Sequence, residues 1–138
     1  MLASRAPSPE MQTEHVMDIE PALKSAMDID GALGAALVDL DSGMALGTLG
    51  GSRHLDLEVA AAGNTEVIRA TLRVMSSVQI DDGIEDILIT LARQYHLIRL
   101  LPEVRSSTLF LYLALDRQKA NLALARHQLR QVEKALML

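Results

Sequence analysis

Gly31-Ala-Leu-Gly-Ala-Ala-Leu-Val-Asp-Leu-Asp-Ser-Gly43 is an apolar run that ends in a turn, and the segment it opens continues through a second short apolar run to the helix start Glu58-Val-Ala-Ala-Ala-Gly-Asn64. Leu33 to Asp39 is apolar on both of its alternating faces, which predicts a strand covered on both sides. Asp41-Ser42-Gly43 predicts the turn, with Gly43 where a positive φ is needed, and Met44 to Leu49 the returning strand of a hairpin. The segment holds no nucleophile, no metal pair and no phosphate loop. So much Ala and Gly, where a small α/β domain would keep its chemistry, suggests a surface shaped for close backbone approach by another protein. That favours a binding module over an enzyme.

Outward from the hairpin, the rest of the chain falls into elements of ordinary length. Ile19 to Met27 predicts a first helix, with Pro21 tolerated in its opening turn and Gly31 just past its end; Leu23 and Met27 would be its buried side. Gly50, Gly51 and Ser52 break the second strand, and Asp56 is placed to cap a helix running to about Ser77. Leu57, Ala61, Asn64, Ile68, Leu72 and Met75 form its apolar stripe, with Arg69 and Arg73 away from it. After the Asp81-Asp82-Gly83 turn, Ile84 to Leu91, Tyr95 to Leu101 and Thr108 to Leu115 predict three strands in an antiparallel meander. In the last of these Leu109, Leu111, Leu113 and Leu115 share one face and Phe110 and Tyr112 the other, so it should be central with helices on both sides. Asp116 is placed to cap a final helix whose stripe is Leu122, Ala125, Leu129, Val132 and Leu136. The order α-β-β-α-β-β-β-α predicts an α/β (α+β) fold of profilin-like, three-layer kind: five antiparallel strands, the middle helix on one face and the terminal helices on the other.

Composition narrows the functions this fold could carry. A chain of 138 residues suits one domain. Its only aromatic residues are Tyr95, Phe110 and Tyr112, so the core must be aliphatic, and stacking platforms for single-stranded nucleic acid are missing. A net charge of -5 lacks the clustered Lys and Arg that neutralise phosphates, which argues against a nucleic-acid partner. Zero cysteine removes thiolate catalysis and disulfides and suits a reducing compartment. Met1 to Asp18 has no apolar run and reads as a disordered tail, neither signal peptide nor membrane anchor, on a cytoplasmic protein whose domain spans 19–138.

Residues that could carry chemistry are few. Asp81, Asp82, Glu85 and Asp86 lack the spacing of a calcium loop and read as turn and solvated-face residues. His15, His54, His96 and His127 are scattered without zinc-ligand spacing, and His96 reads as a partly buried strand residue. Ser42 lacks the strand-turn-helix setting of a nucleophile elbow. Gly31, Gly34, Gly50 and Gly51 make neither a phosphate loop nor a dinucleotide fingerprint, so no cofactor or metal is expected. Arg69 and Arg73 read as a solvated helix face, with contact to a partner's acidic region as the sharper reading.

Order and residues together resemble the roadblock dynein-light-chain family, in the bacterial branch whose members partner small GTPases. The resemblance is carried by the Gly31–Gly43 hairpin, Val59-Ala-Ala-Ala-Gly-Asn-Thr-Glu-Val67, Ile84-Glu-Asp-Ile-Leu-Ile-Thr90 and Leu109-Phe-Leu-Tyr-Leu-Ala-Leu-Asp116, and it covers about Ile19 to Leu136. It implies homodimers or heterodimers without a cofactor, serving as platforms for Ras-like GTPases or as adaptors. It also implies that the third strands pair edge to edge and the second helices pack beside the two-fold axis. The residues agree: Gly63 in mid-helix costs about 1 kcal/mol relative to Ala, and Ile84 to Leu91 would be an aggregation hazard as a free edge. The expected interface is Ala60, Gly63, Asn64, Val67, Glu85, Ile87, Ile89, Leu91 and Arg93, with strands antiparallel about Ile89 so that Glu85 meets Arg93 of the mate. The leading expectation is a non-enzymatic homodimer that binds a Ras-like small GTPase, with or without regulating it. A scaffold subunit without effect on nucleotide turnover and a profilin-like small-molecule sensor stay open, the last requiring an apolar pocket with convergent polar groups.

Overall fold

A computed structural model of the protein describes residues 19–102 and 108–137. The elements are α1 (Ile19–Met27), β1 (Ala32–Asp39), β2 (Ala45–Gly50), α2 (Leu57–Ser77), β3 (Asp86–Thr90), β4 (Gln94–Leu100), β5 (Leu109–Asp116) and α3 (Leu122–Met137). The order is the one expected. The expected tail before Ile19 and residues 103–107 of the β4–β5 connection lie outside the described residues.

The five strands form one sheet in the order β2-β1-β5-β4-β3 with antiparallel neighbours throughout. β5 is central because its alternation has two apolar sets to bury. Leu111, Leu113 and Leu115 join Leu23, Ala26, Leu37, Leu97, Ala125 and Leu129 under α1 and α3. Phe110 and Tyr112 join Val38, Leu57, Ala61, Ile68 and Ile98 under α2. The three layers follow from that division. Aliphatic packing fills both cores, and Tyr112 and Phe110 are the largest fully buried side chains.

Local chemistry sets the ends of the elements. The Asp56 carboxylate accepts hydrogen bonds from the backbone N–H groups of Glu58 and Val59 at 3.0 and 3.2 Å, which starts α2 at Leu57 as expected. Gly43 has φ +77°, as the β1–β2 turn requires. Gly47 is needed for a different reason: a Cβ there would lie 2.8 Å from Ile19 Cγ2, so only glycine lets α1 rest on β2.

Three expectations are corrected in detail. The N-terminus of α3 is capped by Asn121, whose side chain accepts from Leu124 N–H at 3.1 Å. Asp116 instead organises the turn before it, its carboxylate accepting from Gln118 N–H at 3.0 Å. In α2 the buried stripe stops at Ile68, and Leu72 is exposed, because the helix outruns the end of the sheet. β3 is also shorter than Ile84 to Leu91, since its ladder with β4 runs only from Asp86, opposite Arg99, to Thr90, opposite Tyr95.

Candidate protein-interaction surface

β3 closes one side of the sheet and pairs only with β4 among the described residues. Its outer row of backbone N–H and C=O groups is therefore a pairing template. Ile87 and Ile89 face the α2 side and are half-buried, while Leu88 packs into the α1/α3 core. Glu85 lies just before the strand and is exposed. Leu91 and Arg93 lie in the β3–β4 turn, also exposed. That turn is held from below: Arg117 donates to the Leu91 carbonyl at 2.8 Å, its backbone N–H to the Arg93 carbonyl at 3.1 Å, and its guanidinium lies 5.0 Å from the Tyr95 ring centroid.

The other end of β3 is fixed by charge. Asp86 pairs with Arg126 of α3 at 3.2 Å, and next to it Arg99 of β4 pairs with Glu133 of α3. The Arg99 and Glu133 side chains are largely withdrawn from solvent, so removing either partner would strand the other. One ion pair thus ties the edge strand to α3, and a second ties the neighbouring β4 to it. Asp86, read from sequence as a turn or solvated-face residue, is thus an ion-pair partner, and neither pair was foreseen because they span 34 and 40 residues.

α2 contributes a second surface. At 100° per residue its charged side chains Glu58, Glu66, Arg69 and Arg73 cluster on one flank. The opposite flank carries Val59, Ala60, Gly63, Val67, Ala70 and Val74, without a charge. Val59 is 67% exposed and Val74 61%, while Ala60, Val67 and Ala70 are half-buried. Gly63 sits at the middle, and a Cβ there would meet nothing within 4 Å in this chain. Asn64, by contrast, is turned beneath the helix and only 8% exposed. Of the residues singled out from sequence, Ala60, Gly63 and Val67 share one flank, and Ile87 and Ile89 share the edge strand on the same face of the sheet. Val59, Ala70 and Val74 were missed, though their apolar, uncharged positions off the core stripe were the available signal.

Arg69 has a defined job in place of the solvated one expected. One guanidinium nitrogen donates to the carbonyls of Leu40 and Asp41 at 3.0 and 2.9 Å, and the other to Glu66 Oε1 at 2.8 Å. It ties α2 to the β1–β2 turn. Arg73 remains exposed.

His96 lies on β4 opposite Ile89, on the α2 side of the sheet. Its Nε2–H donates to Gln94 Oε1 at 2.7 Å, and its Nδ1 accepts from the Tyr112 hydroxyl at 3.1 Å. Both ring nitrogens are thereby satisfied in the neutral form. Burial pushes the His96 imidazole below its ordinary value and the Tyr112 phenol up to about 12. Among the described residues, the side-chain hydrogen-bond partners of the pair are Gln94 and each other. The described residues hold no cluster of His, Asp or Glu able to take a metal ion. A groove of about 470 Å³ between α1 and α3 is lined by Pro21, Ser25, Gln128 and Gln131 over Ala22 and Val132, with no charged or aromatic side chain to orient a ligand. No described helix is long and apolar enough to cross a membrane.

No family model matches the sequence, and no curated protein matches it. Solved structures do match. MglB from Myxococcus xanthus superposes with a TM-score of 0.71 at 15% identity, over 96% of this chain and 91% of that one. A roadblock/LC7 domain from Streptomyces avermitilis gives 0.73 at 11% identity, over 87% and 95%. An MglB with a tetrameric arrangement gives 0.70 at 16% identity, over 99% and 94%. The chain therefore has the roadblock fold that its sequence resembles.

Proposed function

We propose that this chain is a non-enzymatic interaction module that forms a homodimer and, in the cytoplasm, serves as a platform for a Ras-like small GTPase. The observation that carries the self-association is an uncharged α2 flank on the same face of the sheet as an unpaired apolar edge strand. β3 pairs with the same strand of its partner, and the α2 flanks meet about Gly63, where a backbone without a side chain lets a second helix come close. The five-residue strand has its midpoint at Leu88, one residue from the centre suggested by sequence. Antiparallel pairing about Leu88 sets Asp86 opposite Thr90, whereas parallel pairing in register would set carboxylate beside carboxylate, so the two-fold is antiparallel. The tetrameric arrangement recorded for one MglB neighbour supports self-association as a habit of the fold. The GTPase assignment rests on the resemblance of the hairpin and α2 sequences to the bacterial roadblock branch.

Gly63→Arg tests the first half. The lone chain has open space at that position, so folding should be intact while the mass measured by light scattering falls by half. An unchanged mass, or a wild-type protein that is already monomeric, overturns the dimer. For the second half, the wild-type protein is used to capture partners from its native extract, and GTP hydrolysis by any recovered GTPase is measured with and without it. Failure to recover a GTPase overturns the assignment. Recovery with no change in rate makes the platform a scaffold.

A further inference from the structure

α2 ends in a way that neither its own sheet nor the proposed dimer explains. Its last two turns extend past Arg69, which marks the end of the sheet by binding the β1–β2 turn, and no residue after Ile68 is buried. The helix then closes on a Schellman motif: Ile80 N–H donates to the Met75 carbonyl at 2.8 Å and Gln79 N–H to the Ser76 carbonyl at 3.1 Å. Gln79 takes the left-handed position with φ +61°, the one non-glycine residue with positive φ among those described. A glycine there would avoid a cost of about 1 kcal/mol. The strained turn folds Ile80 back toward Met75 and Leu72, yet Ile80 stays 52% exposed and Leu72 41%. A hydrophobic contact in this motif ordinarily buries itself. Here it lines a shallow, open cleft of about 400 Å³ in which Leu72, Met75 and Ile80 lie together with Ser76, Gln79, Asp81 and Asp82.

The carboxylates decide the chemistry of the occupant. Asp81 and Asp82 are exposed, and neither has a cationic partner among the described residues. An apolar cleft flanked by free carboxylates is complementary to an aliphatic side chain flanked by Lys or Arg. Met75 lets the cleft adapt its shape to such a side chain. The cleft is also separate from the self-association flank, since Leu72 lies about 160° around the helix axis from Val74.

We propose that the cleft at the C-terminal end of α2 docks a basic amphipathic segment of a partner protein, one or two aliphatic side chains entering between Leu72, Met75 and Ile80 and flanking cations meeting Asp81 and Asp82. This stands whether or not the chain dimerises or binds a GTPase. The probe is a labelled synthetic helix of Leu and Lys in amphipathic order, with a Leu/Glu helix of the same pattern as control, each titrated into the full-length protein by fluorescence anisotropy and by amide chemical shifts. The Leu/Lys helix is expected to bind at least about tenfold tighter at low salt, the discrimination that two exposed charge pairs supply. Shifts should concentrate at Leu72, Met75 and Gln79 to Asp82. Ile80→Asp should weaken binding at least about tenfold while leaving the circular dichroism spectrum and the mass unchanged, since the side chain it replaces is 52% exposed and outside both cores. Asp81→Asn with Asp82→Asn should weaken binding and flatten its salt dependence. Equal affinity for the Leu/Glu helix, shifts centred elsewhere, or binding unaltered by Ile80→Asp each overturns the proposal. A lower mass for Ile80→Asp also overturns it, since the cleft would then be a contact between copies of this chain.

Discussion

Removing the Arg69 side chain should cost this protein more than an ordinary surface substitution. Its guanidinium makes two hydrogen bonds to the carbonyls of Leu40 and Asp41, and an ion pair with Glu66. A hydrogen bond involving a charged group contributes about 1.5–3 kcal/mol when buried. The Arg69 side chain is 40% exposed, so solvent screening roughly halves that figure. Two such bonds then contribute about 2 kcal/mol, and the exposed Glu66 pair a few tenths more. Arg69→Ala should lower stability by about 2 kcal/mol, equivalent to a drop of about 7 °C in melting temperature for a chain of this size. Arg69→Lys should recover about half, because one ammonium nitrogen has to serve both the carbonyls and Glu66, which the guanidinium reaches with separate nitrogens. Glu66→Ala should cost only a few tenths. Urea unfolding of all four proteins at one concentration measures the series. A loss below about 0.5 kcal/mol for Arg69→Ala, or equal losses for Arg69→Ala and Glu66→Ala, would refute the assignment of Arg69 as the tie between α2 and the β1–β2 turn.

Gly63→Ala separates the two consequences of a mid-helix glycine. Diluted below its association range, the variant should be more stable to urea by about 1 kcal/mol, since the site is helical and has room for a methyl group. Sedimentation at higher concentration should show weaker self-association, and a variant that is both more stable and unaltered in association would remove Gly63 from the interface. Tyr112 governs alkaline stability: the unfolded phenol releases its proton near pH 10 and the folded one near 12, so its contribution, on the order of 2 kcal/mol, is full below pH 10 and lost as pH rises through 12. The urea midpoint of the wild type should fall across that window and that of Tyr112→Phe should fall less; parallel curves would show that burial does not hold the phenol neutral.

What could be read from the sequence was whatever depends on near neighbours. β5 was legible because its two faces are both apolar, and that alone places a strand at the middle of a covered sheet. α2 was legible from Asp56, whose capping partners are two and three residues away. Asp116 was a sound cap by composition, but Asn121 stands next to α3 and Asp116 is taken by the turn before it. The limits of β3 were hidden for a different reason. Ile84 to Leu91 is one apolar run with no internal stop, and its ends are set by Arg126 at one side and by Arg117 under the Leu91 carbonyl at the other. Those contacts reach across 40 and 26 residues. Arg69 was misread on the same ground, its two carbonyl partners lying 28 and 29 residues back. Of the candidate interface, Gly63 was visible because a mid-helix glycine demands a reason. Val59, Ala70 and Val74 were not, because a single apolar stripe already accounted for the helix.

That second stripe bears on how far α2 can serve its own sheet. The helix lies over β1 and β2, the side of the sheet away from β3. Ile87 and Ile89 consequently remain half-buried on the same face, with His96 and Tyr112 beside them closing the polar gap between the covered and uncovered halves. Here the uncovered half and the uncharged helix flank are both unfinished surfaces with apolar chemistry, and both present unhindered backbone, at the β3 edge and at Gly63. In the proposed dimer, a two-fold axis beside β3 would bring the two uncharged flanks toward each other over the surface that each protomer leaves open. Such association would complete the layer that a single α2 leaves half built, and would leave the charged flank with Glu66 and Arg73, together with the cleft beyond Ile68, available to other proteins.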